Sequence, residues 1–466
     1  MILPFKPVAV IDRAAIERYT RGVSLQNCDY AFANMVCWQG LYHSEWCEVA
    51  DSLIIRFRID GGEQIGYMQP LGAGDFTRLL PLLAADAASL GQPLRLVGLS
   101  EEAWQELERV APKQFAAEAD RALCDYIYRR EDLVALQGKH YQPKRNHLNR
   151  FRSNYPDYHY EPLTARHAAA CMGLSREWCR HHGGCQDNAL AAEQQAMQCA
   201  FDHFEELGLQ GGALYVGEQL VAFSYGSVVG NDTFVVHVEK ADTRFEGAFA
   251  MINRSLAEQV GAAICWINRE EDLGIEGLRK AKLSYCPTLL LQKWMAVEQP
   301  VEAQRCRQLW QAAFPEDEVC EIDRFLLHYY RKEQLLRVER EGQIVAMAHL
   351  LPFATDEGAI SYLYAVATDP AWRGEGFASA LIEEAKQRAT AQGDWALVLI
   401  AGSESLGNFY EQRGFRGEVP IRLLSRDHFD FGTGNRLQDR AMLYLCREEA
   451  ANEPLPEELI GYYIEH

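Results

Sequence analysis

The sequence predicts an α/β protein of three consecutive units, each a mixed, mostly antiparallel sheet flanked by helices. Three observations predict it. The chain has 466 residues, more than a single core usually holds. Apolar periodicity in its last third runs helix, helix, hairpin, strand, helix, strand, helix, strand, which is a mixed order rather than a simple alternation. A diverged echo of that order recurs upstream.

In the last third, helical spacing covers Val301 to Phe314 and the stretch around Cys320 to Tyr330. Leu335–Glu339 and Gln343–Pro352 form a hairpin around Glu341-Gly342, and Ala359–Thr368 continues the sheet. From Gly376 to Gln392, apolar Phe377, Leu381, Ile382 and Ala385 give one helical face. Trp395–Ala401 reads as a buried strand, Leu406–Gln412 as a short helix ending at Gly414, and Phe415–Leu424 as a last strand. The upstream copy has a helix at Ala189–Leu207, a hairpin at Ala213–Val228, a strand at Thr233–Glu239, a helix at Gly247–Val260 and a strand at Ala263–Asn268. The weakest echo comprises Leu53–Ile59, Phe76–Leu90, Leu94–Leu99 and Leu123–Tyr128. These readings divide the chain at 1–130, 131–297 and 298–447, followed by an acidic tail, 448–466, whose Leu459–Ile464 is apolar enough to dock.

Apolar residues make up 48% and charged residues 24%, the balance of a globular protein with substantial cores. No apolar run reaches the roughly 18 to 20 residues of a membrane helix, and the first residues turn charged too soon for a signal peptide, so no membrane insertion and a cytoplasmic location are expected. Thirteen cysteines without a C-x-x-C pair suggest neither a disulfide framework nor a zinc ribbon. The run Cys179 to Cys185 matches no standard site, and no metal is expected. A net charge of −20 disfavours attraction to nucleic acid over the whole surface. Lys139 to Arg152, with Lys144 and Arg145, is the exception: it reads either as a phosphate handle or as a solvated face.

Arg373-Gly374-Glu375-Gly376-Phe377-Ala378 stands between the strand ending at Thr368 and the following helix. A pyrophosphate needs converging backbone N–H donors with a helix N-terminus behind them, and glycines let the backbone come close. Pro370 stops the strand, and Arg373 can add a cationic contact. The stretch resembles the R-x-x-G-x-A acyl-CoA loop of the GNAT superfamily, over about 150 residues. Its flank Ser405–Phe415 is similar to the family's segment in which an Asn touches the pantetheine and a Tyr sits beside the thioester sulfur; these are Asn408 and Tyr410. The resemblance also implies that the strand before the loop bulges and offers backbone groups to the pantetheine, at Val366 through Thr368. A phenol near pKa 10 suits protonation of a leaving thiolate, which makes Tyr410 the expected general acid. No carboxylate lies in Ser361–Ala365 to act as base; His349 or ordered water remain, and a core histidine is the competing reading of His349.

Leu133–Phe151, His237–Asp242 and Ile267–Tyr285 together resemble the catalytic domain of bacterial phosphatidylglycerol lysyltransferases, a tandem of GNAT-like folds, and more closely its soluble members. Aligning Arg244–Phe249 with Arg373–Ala378 keeps the arginine and one glycine but puts Phe249 where Ala378 stands, so this unit is not expected to hold CoA in the usual way. His237 and Glu239 alternate on one strand, and Asn268 and Arg269 end the next. With Lys144 and Arg145 they form either a second substrate site or structural ion pairs. The expected protein is an N-acyltransferase that uses an acyl-CoA, with acetyl-CoA as donor and a small-molecule or peptide amine as acceptor. An aminoacyl-tRNA-dependent transferase working through the first two thirds and a non-catalytic acyl-CoA sensor stay open beside it.

Overall fold

Apolar runs and alternations condense into three mixed sheets flanked by helices. The structure is a computed structural model that describes residues 3–181, 188–432, 440–446 and 455–465. Clustering of contacts gives two units, residues 1–112 with 117–298, and residues 113–116 with 299–466.

In the C-terminal unit the strands run in the order Leu335–Arg340, Gln343–Thr355, Gly358–Thr368, Ala396–Ile400, Arg440–Leu445, Arg416–Leu424, Leu459–Tyr463. Gly358–Thr368 and Ala396–Ile400 are parallel, the crossover being the helix Phe377–Gln392. Side chains alternate across the long strand Gln343–Thr355. Met347, Leu351 and Phe353 meet Trp310 and Phe325 from the helices Val301–Ala313 and Val319–His328, while Ala346, Ala348 and Leu350 meet Leu381, Ile382 and Ala385. Two strands lay beyond the sequence reading, Arg440–Leu445 and Leu459–Tyr463. The second lies in the tail and pairs in parallel with Arg416–Leu424, so the apolar residues there do dock. The rest of that tail, 448–454 and 466, lies outside the described residues.

In the N-terminal unit one sheet includes Glu45–Val49, Ser52–Arg58, Ile65–Met68 and Arg95–Leu99, and the other contains Asp125–Arg129, Trp266–Asn268, Thr233–Ala241, Gln219–Val229 and Gln210–Val216. The first sheet takes a strand from the far side of the second. Trp294–Glu298 pairs antiparallel with Arg95–Leu99 in the first sheet. Asp125–Arg129, read from sequence beside the first set of strands, pairs instead with Trp266–Asn268 and Leu289–Leu291 of the second. Among the described residues no helix is long and apolar enough to cross a membrane.

Between the helices Val301–Ala313 and Val319–His328, the Arg307 guanidinium donates to both Asp323 oxygens at 2.5 and 2.8 Å, and both residues are buried. Removing one partner takes this bidentate pair away from a buried charge. Asp323→Ala is therefore expected to lower the stability of the C-terminal unit by about 3–5 kcal/mol, seen as a lower denaturant midpoint at unchanged slope. An unchanged midpoint would show that solvent reaches the arginine.

Candidate functional site

The C-terminal site is built on a break in the ladder. Met347 pairs with Ala367 and His349 with Tyr364, so Ala348 faces two residues, Ala365 and Val366. Ala365 takes a left-handed φ of 52°. This is a β-bulge, which takes Ala365 and Val366 out of register while Ala367 and Thr368 still pair with Met347 and Ala346. Downstream, the Asp369 carboxylate accepts from Ala371 N at 3.0 Å and from the Arg305 guanidinium at 2.7 Å, which pins the turn Pro370–Trp372. Arg373 is exposed and its Nε lies 3.5 Å from Thr368 O. Gly374 and Gly376 have φ of 90° and 80°, conformations glycine adopts freely, and a Cβ at either would meet nothing within 4 Å. Gly376 caps Phe377–Gln392 with no side-chain hydrogen bond, so the first-turn N–H groups of a 16-residue helix point into open space. Phe377 is buried beside Trp372, and Ala378 is half-buried behind it. Such a cradle accepts a pyrophosphate without moving a side chain.

Asn408 and Tyr410 lie on the helix Glu404–Glu411, which Ser403 caps by accepting from Leu406 N. Asn408 is exposed, while Tyr410 packs against Phe409 and Phe415. Burial raises the Tyr410 phenol above its usual range, which keeps it protonated and able to donate at neutral pH.

His349 is not placed to act as a base. It has no exposed surface, and its ring lies 4.8 Å from Phe325, 5.9 Å from Tyr330 and 6.1 Å from Trp310. Neither ring nitrogen has a partner among the described residues, not even the backbone carbonyl expected of a core histidine. Burial in this aromatic box pushes its pKa down to about 3, so it is neutral and a poor proton acceptor.

The corresponding loop of the N-terminal unit is closed. Gly247, with φ of 91°, caps the helix Ala248–Gln259 as Gly376 caps its own, but a Cβ there would lie 2.4 Å from His147 O and 3.0 Å from Phe151 Cβ. The helix Gln142–Asn154 thus covers the turn, presenting a carbonyl oxygen where a phosphate would need donors. Arg244 is held by both Asp242 oxygens, at 2.9 and 2.6 Å, and Arg150 by Glu246. The bulge recurs too, since Tyr225 pairs with Val238 and Gly226 with Val236, leaving His237 as the extra residue.

The polar residues named from the sequence fall into two groups. In one, Glu239 accepts from Arg269 at 2.8 Å and from Asn253 at 3.0 Å, and Lys144 lies 3.8 Å above the Tyr285 ring, which also has Arg269 within 5.0 Å. Burial, then the nearby Arg269, lowers the Lys144 ammonium to about 8. Arg145 donates to the carbonyls of Leu136 and Gly138, so its guanidinium is committed to the chain. In the other group, His237 Nδ1 meets Glu270 Oε1 at 3.0 Å, and buried Asn268 donates to Asp125 Oδ2 and Gln26 O at 2.7 Å. Sequence reasoning missed the partners of this second group, Asn34, Asp125, Ser227 and Lys293, which come from segments with no common local pattern. Lys293 contacts Asp125 at 2.9 Å, Asp29 at 3.2 Å and Glu271. Cys28, Asp29 and Glu271 converge closely enough to ligate a metal, but the Lys293 ammonium already stands among them. Much of Cys179–Cys185, residues 182–185, lies outside the described residues.

Residues 20–297 match the family described as phosphatidylglycerol lysyltransferase, C-terminal, and residues 303–415 match the acetyltransferase (GNAT) family. A crystal structure of a conserved protein of unknown function from Bacteroides thetaiotaomicron VPI-5482 is 43% identical, aligning 64% of this chain with 100% of that one at a TM-score of 0.62. The structure of L-PGS from Bacillus licheniformis aligns 63% of this chain with 93% of its own, at 13% identity and a TM-score of 0.46. An uncharacterized protein of Mycoplasmoides gallisepticum is 22% identical over 191 residues, or 41% of this chain; the chain spans 61% of the length of that curated relative.

The buried His349 carries a pH signature. Its folded pKa lies below the unfolded value near 6.5, so the unfolded state takes up the proton first as pH falls. Stability is complete above about 6.5 and is lost toward about 3, at about 1.4 kcal/mol per pH unit. His349→Phe should flatten this part of the profile of the C-terminal unit; an unflattened profile would mean that the ring is solvated.

Proposed function

Because the chain belongs to the phosphatidylglycerol lysyltransferase C-terminal family, with a GNAT segment following that region, we propose that it is an acyl-CoA-dependent N-acyltransferase whose working donor site is in residues 298–447. The observation that carries this reading is the open glycine turn at an uncapped helix N-terminus beside a bulged strand. In it, Arg373, Gly374, Gly376, Phe377 and Ala378 hold the pyrophosphate, Val366 and Thr368 meet the pantetheine through backbone groups, and Asn408 supports the same arm. The donor is acetyl-CoA, the acceptor is a small-molecule or peptide amine, and the protein works in the cytoplasm. As the amine nitrogen bonds to the thioester carbonyl carbon, backbone N–H groups at the bulge stabilise the developing oxyanion. The carbon–sulfur bond then breaks, and Tyr410 gives its proton to the sulfur. With His349 sealed off, the proton of the attacking amine leaves to water.

An aminoacyl-tRNA-dependent transfer in residues 1–297 is the second reading. The closed turn at Gly247 favours a donor other than CoA there, but the commitment of Arg145 to backbone carbonyls removes part of the phosphate handle it would use.

Two variants test the first reading. Gly376→Trp should abolish acetyl-CoA binding in calorimetry while the fold persists with a lowered melting temperature, since the added side chain enters open space but a φ of 80° costs a tryptophan about 1–3 kcal/mol; retained affinity would refute the loop assignment. Tyr410→Phe should lower turnover by roughly 10²- to 10⁴-fold with little change in CoA affinity. Unchanged turnover would leave Tyr410 a packing residue.

A further inference from the structure

At the bulge of the N-terminal unit, three side chains from separate elements align. The Ser227 hydroxyl lies 2.8 Å from His237 Nε2, and His237 Nδ1 lies 3.0 Å from Glu270 Oε1. In the neutral imidazole, Nδ1–H donates to the Glu270 carboxylate, which leaves Nε2 to accept from the Ser227 O–H. Glu270 is itself oriented, by Asn34 Nδ2 at 2.9 Å and by Asn268 Oδ1, which accepts its backbone N–H at 2.6 Å. Its backbone sits at a φ of 54°, a left-handed strain that the surrounding hydrogen bonds hold in place.

The arrangement borders a cavity. His237, Asn34 and Glu193 line it together with Trp38, Met197 and Tyr225, so apolar and aromatic surface meets a few polar groups. Ser227 lies two residues beyond Tyr225 on the same strand and so on the same face.

We propose that Ser227, His237 and Glu270 form the nucleophilic relay of a second acyl-transfer site, which takes a short apolar acyl group from an ester or thioester donor that does not carry the CoA pyrophosphate. The roles follow from the geometry. Ser227 Oγ bonds to the acyl carbon as its proton passes to Nε2, and Glu270 stabilises the imidazolium. The bond to the leaving oxygen or sulfur breaks, and His237 returns the proton to that atom. An amine or water then attacks the seryl ester, giving its proton to His237, and Ser227 leaves with that proton. The closed turn at Gly247 excludes the pyrophosphate-bearing donor proposed for the C-terminal unit, so the two sites take different donors and this inference stands apart from that one.

Phenylmethylsulfonyl fluoride tests it on the full chain, because the sulfonyl group bonds to an activated serine, fluoride leaves, and the adduct is stable. Peptide mass spectrometry should find the adduct on Ser227, lost in Ser227→Ala and formed roughly 10²-fold or more slowly in His237→Gln. In Glu270→Gln, which keeps an acceptor for Nδ1–H but removes the charge that stabilises the imidazolium, labelling should slow. Melting curves of each variant establish that it is folded, and Glu270→Gln serves if His237→Gln is not. An unmodified Ser227, or labelling at the same rate in the folded variants, would overturn the proposal.

Discussion

The buried ammonium of Lys293 is the contact on which the N-terminal unit depends. It stands immediately before the strand Trp294–Glu298, which joins the first sheet, and it meets Asp125, which opens the strand completing the second. Asp29 and Glu271 close around it, so segments from both sheets share one charge. Burial, together with the neighbouring Glu271 and Asp29, pushes the Asp125 carboxyl up to about 7 despite Lys293, and these carboxylates hold the lysine above its ordinary range. Losing the lysine would leave these carboxylates buried without a counter-ion. Because the first sheet takes Trp294–Glu298 from beyond the whole of the second, residues 1–112 and 117–298 form one unit.

The same chain geometry recurs with a different degree of access. A bulged strand followed by a glycine-capped helix occurs in both units, at Ala365 and Gly376 and again at His237 and Gly247. In the C-terminal unit the turn is bare, so helix N–H groups remain available to an anion. In the N-terminal unit the carbonyl of His147 and the Cβ of Phe151 fill the corresponding space, and the bulge presents an imidazole instead. Access to the helix end, rather than the presence of a glycine, decides which unit can hold a phosphorylated donor.

Much of this was legible in the sequence because it is local. The apolar spacing of Phe377, Leu381, Ile382 and Ala385 marks the helix, and Arg373–Ala378 before it marks the loop. The phenylalanine in Arg244–Phe249 already hinted at a different turn, although Phe249 is exposed and the obstruction comes from His147 O and Phe151 Cβ of another helix. What is non-local was not legible. The strand at Asp125–Arg129 looks like its neighbours in sequence and takes its partners from residues 266–268 and 289–291. His349 stands in an apolar run, Ile344–Phe353, but the rings that close over it come from the helices Val301–Ala313 and Val319–His328, which no local pattern ties to it. Ser227, His237 and Glu270 lie on three separate segments, and no spacing rule joins them.

The central claim is that acetyl-CoA is held at the open turn and nowhere else. Amide hydrogen exchange of the full chain with and without saturating acetyl-CoA tests it most directly. The account predicts slowed exchange at residues 373–378 and the first turn of Phe377–Gln392, with residues 244–249 unchanged. Protection at 244–249, or no protection at 373–378, would contradict it.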